Sequence, residues 1–410
     1  MAAINHAFAA VTTTQTTTSA SYADVSGAAI ASGSFTAGKK YLICVTAVGG
    51  FGDNVALGEV AVVHGSTVFA ESQDTMSISP FFKTYSWFTV WTAVSSEGIK
   101  VQFRCSGGIT LTLDTITVLA INLTDDLVEN TDWFFAEDSS DDSLTTTPLA
   151  GGSITFTPAT ASHDWLVMTH SQIDITSSSI LPISRISRSG EASSSLPECR
   201  TERRNAFNFS GFGLSRVFTL GNASNTFAEQ SSAASTAHTR LHSKIFALNL
   251  NKFSDHSFAY TEADVGLSAT DYATALQTLG ITPAVQSDVW IGAYWGWDSQ
   301  ATGREGESRV QVDNVDQPAG QTTANRQLKA GTDATDEDPI NHSTLVAAMT
   351  AAAHTVDLDG SADSTTSTPS GQHRTLWAVT MELAAGGAPS PDRIPKPHIS
   401  KWAVQRAASW

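Results

Sequence analysis

Three stretches of this chain follow one pattern, a short polar step and then an apolar strand. Gly38-Lys39-Lys40 leads into Tyr41-Leu42-Ile43-Cys44-Val45, Ser162-His163-Asp164 into Trp165-Leu166-Val167-Met168, and Gln286-Ser287-Asp288 into Val289-Trp290-Ile291-Gly292-Ala293-Tyr294. A second set follows later in each copy: Thr115 to Leu123, Ser243 to Leu250 and Thr375 to Leu383. Each has a central alanine (Ala120, Ala247, Ala378) and closes on a polar–Leu pair. The two sets recur at intervals of about 130 residues, the length of one β-sandwich domain. Between them lie further strand candidates: Glu59 to Phe69, Tyr85 to Ala93 and Ile99 to Cys105; Ile180 to Ile186, Ala206 to Gly211 and Arg216 to Leu220; Ser308 to Val315, Thr344 to Met349 and Thr355 to Leu358. Val101-Gln102-Phe103-Arg104 and Arg309-Val310-Gln311-Val312-Asp313 alternate apolar with polar, as half-buried antiparallel strands do.

The pattern predicts an all-β chain of three tandem antiparallel β-sandwich (jelly-roll-like) modules, at residues 21–125, 126–252 and 253–386. A Thr-rich extended arm or edge strand (1–20) precedes them, and a Pro-rich basic segment (387–410) follows. The openings Phe135-Ala136-Glu137-Asp138 and Tyr260-Thr261-Glu262-Ala263 correspond, with Ser21-Tyr22-Ala23-Asp24 as a weaker third. One helix is predicted, in the third module: Ser268 caps it, Ala273, Leu276 and Leu279 share a face, and Gly280 ends it.

Composition narrows the function. Only 15% of residues are charged and the net charge is −17. That balance disfavours nucleic acid and anionic membrane surfaces as partners. No apolar run reaches the roughly 18 residues of a spanning helix, and no export signal is evident at the start. Three cysteines, Cys44, Cys105 and Cys199, make no disulfide framework; free thiols and folding in a reducing cytoplasm are expected.

Few residues suggest chemistry. His238 and His242 stand at i and i+4, but the stretch leads into a strand, where such side chains lie roughly 13 Å apart. His163, Asp164 and His170 lack a nucleophile, and neither a Gly-x-Ser-x-Gly elbow nor a phosphate-binding Gly-rich loop is present. Asp357, Asp359 and Asp363 surround Gly360 and are weak candidates for a hard cation such as calcium; an acidic turn is the simpler reading. No cofactor is expected. In two aromatic runs, Tyr85 to Trp91 and Trp290 to Trp297, alternate residues point to opposite sheet faces, so some rings are expected outside the module core. They either pack against the neighbouring module or offer subunit-interface or glycan contacts, with Tyr85, Trp87 and Trp91, which share one strand face, and Trp295 and Trp297 as candidates. In the C-terminal segment Arg393, Lys396, Lys401 and Arg406 face only Asp392 in opposition, and Trp402 and Trp410 add large rings. So short a segment cannot bury two Trp by itself, so it is expected to dock on an acidic surface.

The Tyr41 strand and the closing strand Ile116-Thr117-Val118-Leu119-Ala120-Ile121-Asn122-Leu123, aliphatic on either side of a central Ala, resemble those of tandem jelly-roll-like modules in virion proteins of tailed bacteriophages and gene-transfer particles. The resemblance spans residues 21–385. It implies a non-enzymatic component on the virion exterior, a head decoration or fibre or a tail fibre. Its partners would be other virion proteins and copies of itself, with trimers a common form. The alternatives are an adhesin that binds carbohydrate through its aromatics, such as a host-surface glycan, and a glycan-degrading enzyme with a carboxylate-lined cleft.

Overall fold

A computed structural model of the chain describes residues 2–384, except 52–55, 77–81, 95–97, 106–108, 176–181, 192–196, 201–207, 234–237, 263–271, 273, 299–304, 321–324, 329–337 and 363–369; some residues flanking these gaps are described by their backbone alone. The described residues hold β-strands and short 3₁₀ turns, with no α-helix among them.

The described strands form six antiparallel sheets that pair into three sandwiches of one topology. In module 1 the inner sheet runs His6–Val11, Leu111–Asn122, Lys40–Phe51, Phe82–Thr92, and the outer sheet runs Ala23–Ile30, Ile99–Cys105, Ala56–His64, Thr67–Met76. Module 2 repeats both orders. Its inner sheet is Trp133–Asp138, Thr239–Asn249, His163–Ile175, Asn208–Leu220; its outer sheet is Leu149–Phe156, Asn225–Ser232, Ile183–Arg188, Glu198–Arg200. Module 3 repeats them again. Its inner sheet is His256–Thr261, Ser370–Thr380, Ser287–Asp298, Asp338–Met349; its outer sheet is Thr274–Ile281, His354–Ala362, Glu305–Val312, Val315–Gln317. Each module also has one short strand beside this path, Gln15–Thr17, Asp142–Ser143 and Asn325–Leu328; numbering the other eight by sequence, the inner order is 1-8-3-6 and the outer 2-7-4-5. Every neighbour in these sheets beyond the 4–5 hairpin is non-consecutive, which is the crossing pattern of a jelly roll. The registers coincide as well: Tyr41 faces Asn122, Trp165 faces Asn249 and Val289 faces Thr380.

Three expectations are corrected. Of the two readings of residues 1–20, arm or edge strand, the structure has the edge strand: His6–Val11 and Gln15–Thr17 pair with Leu111–Asn122, and module 1 starts at its first strand, His6–Val11, not at residue 21. The partner of the openings at Trp133 and His256 is therefore His6, not Ser21, and Phe135 corresponds to Phe258, not Tyr260. The predicted helix in module 3 is the strand Thr274–Ile281. A β-bulge between Ala275 and Gln277 shifts the register, so that Leu276 and Leu279, three residues apart, both face the core. That spacing imitates helical periodicity. Finally, the run Glu59 to Phe69 is two strands joined at Gly65, which takes a positive φ of 60°.

Candidate functional site

Among the described residues, each inner sheet packs along both of its faces. On one face, Tyr41, Ile43 and Val45 pack into module 1's own sandwich, as Trp165 and Val167 do in module 2 and Val289 and Ile291 in module 3. The alternate residues enter a fourth apolar cluster shared by all three modules. It holds Leu42, Cys44, Leu119 and Ile121 from module 1, Leu166, Met168, Phe246 and Leu248 from module 2, and Trp290, Trp377 and Val379 from module 3. These strands therefore read as continuous apolar runs, the mark of a sheet buried on both sides.

Contacts across this centre run in a ring. Thr117, Lys244 and Thr375 are equivalent by register, opposite Thr46, His170 and Tyr294. Each reaches the sixth strand of the next module: Thr117 donates to the Ser343 carbonyl at 2.7 Å, Thr375 to the Ser215 carbonyl at 2.9 Å, and Lys244 to Thr89 Oγ1 at 3.4 Å. Module 1 thus leans on 3, 3 on 2 and 2 on 1, an approximate threefold arrangement within one chain. Its junctions repeat in the same way. His6 meets Asp288 and His256 meets Asp164, both at 2.9 Å, while at the equivalent third place Lys40 lies over the Trp133 ring, 5.6 Å from its centre. The ring closes because residues 2–4 join residues 381–383: Ile4 N–H donates to the Met381 carbonyl and Leu383 N–H to the Ala2 carbonyl, both at 2.9 Å.

Down the axis the shared face changes from apolar to polar. The first layer holds Leu42, Leu166 and Trp290. In the second, Cys44, Met168 and Gly292 stand opposite Leu119, Phe246 and Trp377. A Cβ on Gly292 would lie 2.1 Å from the Trp377 ring, so the absence of a side chain makes room for the largest one beside it. The buried indoles are hydrogen-bonded: Trp290 Nε1 donates to Ser343 Oγ at 3.1 Å and Trp377 Nε1 to Ser215 Oγ at 3.2 Å. The third layer holds Thr46, His170 and Tyr294. His170 is buried with its ring stacked on His242, centroids 5.5 Å apart, and Lys244 nearby. Burial, and then the neighbouring His242 and Lys244, hold the His170 imidazole well below its usual pKa; burial and Lys244 bring His242 down to about 4. Beside the axis a cavity of about 40 Å³ is lined by Cys44, Phe88, Met168, Thr169, Trp290 and Trp377, among others. It has room for a few waters but not for a sugar.

Module 2 carries a second buried polar cluster. Arg240, fully buried, donates to Glu229 at 3.2 Å, to Asp142 at 2.5 Å and to Asp138 at 3.4 Å. Ser184 and Ser231 donate to Glu229, at 2.9 and 2.5 Å. Burial raises the Glu229 carboxyl above the usual range, against the pull of Ser231, Arg240 and Ser184.

The aromatic candidates are largely interior. Tyr85 and Trp87 belong to the core of module 1, Trp295 and Trp297 to that of module 3, and Trp91 is half-buried against Phe35, Tyr41 and His64. Four of these five rings therefore present no face to a glycan or to another subunit. On the same strand it is Phe88 and Val90, facing the other way, that enter the shared centre. Asp357 accepts from Thr278 at 2.6 Å, and Asp359, on the same strand face, is pushed up to about 6 by burial and by Asp357. Asp363 lies outside the described residues, among which no three candidate ligands are placed to hold a metal ion. Arg393, Lys396, Lys401, Trp402, Arg406 and Trp410 also lie outside them. Cys44 and Cys105 are separate buried thiols, one in the shared centre and one in the core of module 1.

Packing against a neighbouring module is one reading of the aromatic runs, and Phe88 and Trp290 do pack in this way; a single centre common to three modules is what the sequence reading lacks. A signal for it was present: Asn5-His6-Ala7-Phe8-Ala9 parallels Asp255-His256-Ser257-Phe258-Ala259, marking the first strand of a third equivalent module.

No protein-family model matches the chain, and no curated protein does. Among solved structures, one of PNGF-II is 6% identical and matches 85% of this chain and 99% of its own, at a TM-score of 0.30. The insecticidal delta-endotoxin Cry8Ea1 from Bacillus thuringiensis is 12% identical over 49% of this chain and 42% of its own, at 0.20. A structure of the infectious bursal disease virus Gx strain is 9% identical over 85% and 75%, at 0.19. Likenesses this loose carry no information about function.

Proposed function

We propose that this protein is a non-catalytic structural component on the exterior of a phage-like particle, held there through its C-terminal segment. The observation that supports this reading is the shared centre. Three sandwiches that each bury their own core also dedicate a second sheet face to locking together, which gives one three-lobed building block. The block has polarity. Residues 381–384, the last described ones, lie between residues 2–4 and 252–254 at the end where the modules join, and that end is taken as the one that faces the particle. Docking there leaves the opposite end of all three lobes facing outward.

Removing residues 388–410 tests this. The truncated protein is expected to melt at the same temperature as the full chain and to lose co-sedimentation with particles, with the full chain's own attachment weakening as salt rises. Equal attachment of both proteins at every salt concentration, or absence of the full chain from purified particles, would show the reading to be wrong.

A further inference from the structure

The three module junctions place equivalent residues against the neighbour's sixth strand, and their sizes differ sharply. Where module 2 meets module 1 these are His170, His242 and Lys244 against Thr89. Where module 3 meets module 2 they are Tyr294, His373 and Thr375 against Arg216. Where module 1 meets module 3, all four positions are threonine: Thr46, Thr115 and Thr117 against Thr344. Two of the junctions thus carry long side chains. At the third, a cavity of about 10 Å³ remains, lined by those threonines with Gln317, Pro318, His342 and Ser343. That is about the space one water molecule needs.

One of the four threonine hydroxyls at this place has a partner in the protein and three do not. Thr117 is satisfied by the Ser343 carbonyl. Thr46, Thr115 and Thr344 are 4, 4 and 2% exposed, and their Oγ1 atoms have no hydrogen-bond partner in the protein. Three buried hydroxyls left bare beside a void of this size would each carry a desolvation cost, whereas one water with two to four polar partners removes it. We propose that this junction is a built water site, in which one ordered water bridges Thr46, Thr115 and Thr344 and takes the place that tyrosine and histidine side chains take at the other two junctions.

Valine tests the site, since it keeps the branched shape of threonine and puts a methyl group where the hydroxyl was. With the water in place, Thr46→Val, Thr115→Val and Thr344→Val each leave it a partner short, and Tm is expected to fall by about 1–3 °C per substitution. Without it, valine relieves a bare buried hydroxyl, and Tm stays level or rises. A crystal structure of the unaltered protein at a resolution that shows waters provides the second readout. Density bonded to at least two of the three hydroxyls is the expected result. An ordered junction without that density, or valine variants at least as stable as the parent, would overturn the proposal.

Discussion

At the scale of single residues, the shared centre is held by complementary departures from symmetry. Gly292 and Trp377 face each other across two strands of module 3, and the tryptophan occupies space that Cys44 and Met168 take in the other copies. Gly292→Ala is expected to destabilise the protein by about 1–3 kcal/mol through overpacking, measured by chemical denaturation; a neutral alanine would mean that the indole moves freely. Cys44, buried here with its thiol pushed above the normal range by desolvation, should react with a thiol reagent only when the modules part, so its labelling rate reports opening of the ring. The ion cluster of module 2 makes a third case. Arg240→Met strands Glu229 as a buried carboxylate and is expected to cost about 3–5 kcal/mol, whereas Arg240→Met with Glu229→Leu should recover most of that loss. If the double variant is no better than the single one, the Glu229 charge is not what Arg240 offsets. None of this pairing was legible in the sequence: Arg240, Glu229 and Asp142 read there as separate polar residues in different segments.

At the scale of strands, the sequence was most informative where burial is simplest. Ile99–Cys105 alternates strictly and was found to the residue. The strands at Tyr41, Trp165 and Val289 are legible too, but an unbroken apolar run shows only that a strand is buried, not which second partner covers its other face. Thr274–Ile281 misled because its bulge gives two core leucines helical spacing. The first strand of module 1 was hidden by the threonines that follow it. The strand pair carrying His170 and His242 also predicts a pH dependence. His242 titrates at about 4 in the folded chain, His342 at about 3 and His170 well below normal, against an ordinary value of 6.5. The unfolded chain therefore binds more protons in that interval, and stability, fully present above pH 6.5, falls progressively as pH drops toward 4. Asp359, raised from 3.8 to about 6 by burial and Asp357, and Glu229, raised by burial, act in the opposite sense within part of that range, two groups against three. Denaturation midpoints measured from pH 7 to pH 4 should decline, and His170→Gln should flatten the slope. An unchanged slope would place the acid sensitivity elsewhere.

At the scale of the whole molecule, the three modules act as one cooperative body if the shared centre is as important as its burial implies. Leu166→Asp, which puts a charge into that centre but not into any module's own core, should separate a single unfolding transition into several in calorimetry; one intact transition at the original temperature would mean that the modules merely touch. The closing contact between residues 2–4 and 381–383 has a consequence in time. A ribosome adding about 5–20 residues per second makes the second partner roughly 20–75 s after the first. Through that interval modules 1 and 2 can fold while their inner faces still lack the third, and the first strand of the chain waits beside an unoccupied seam. A neighbouring nascent chain on the same message offers an identical third module. Crowded synthesis should therefore yield interlocked dimers in which each chain's opening residues close the other's ring, and slower or sparser translation should yield closed single rings.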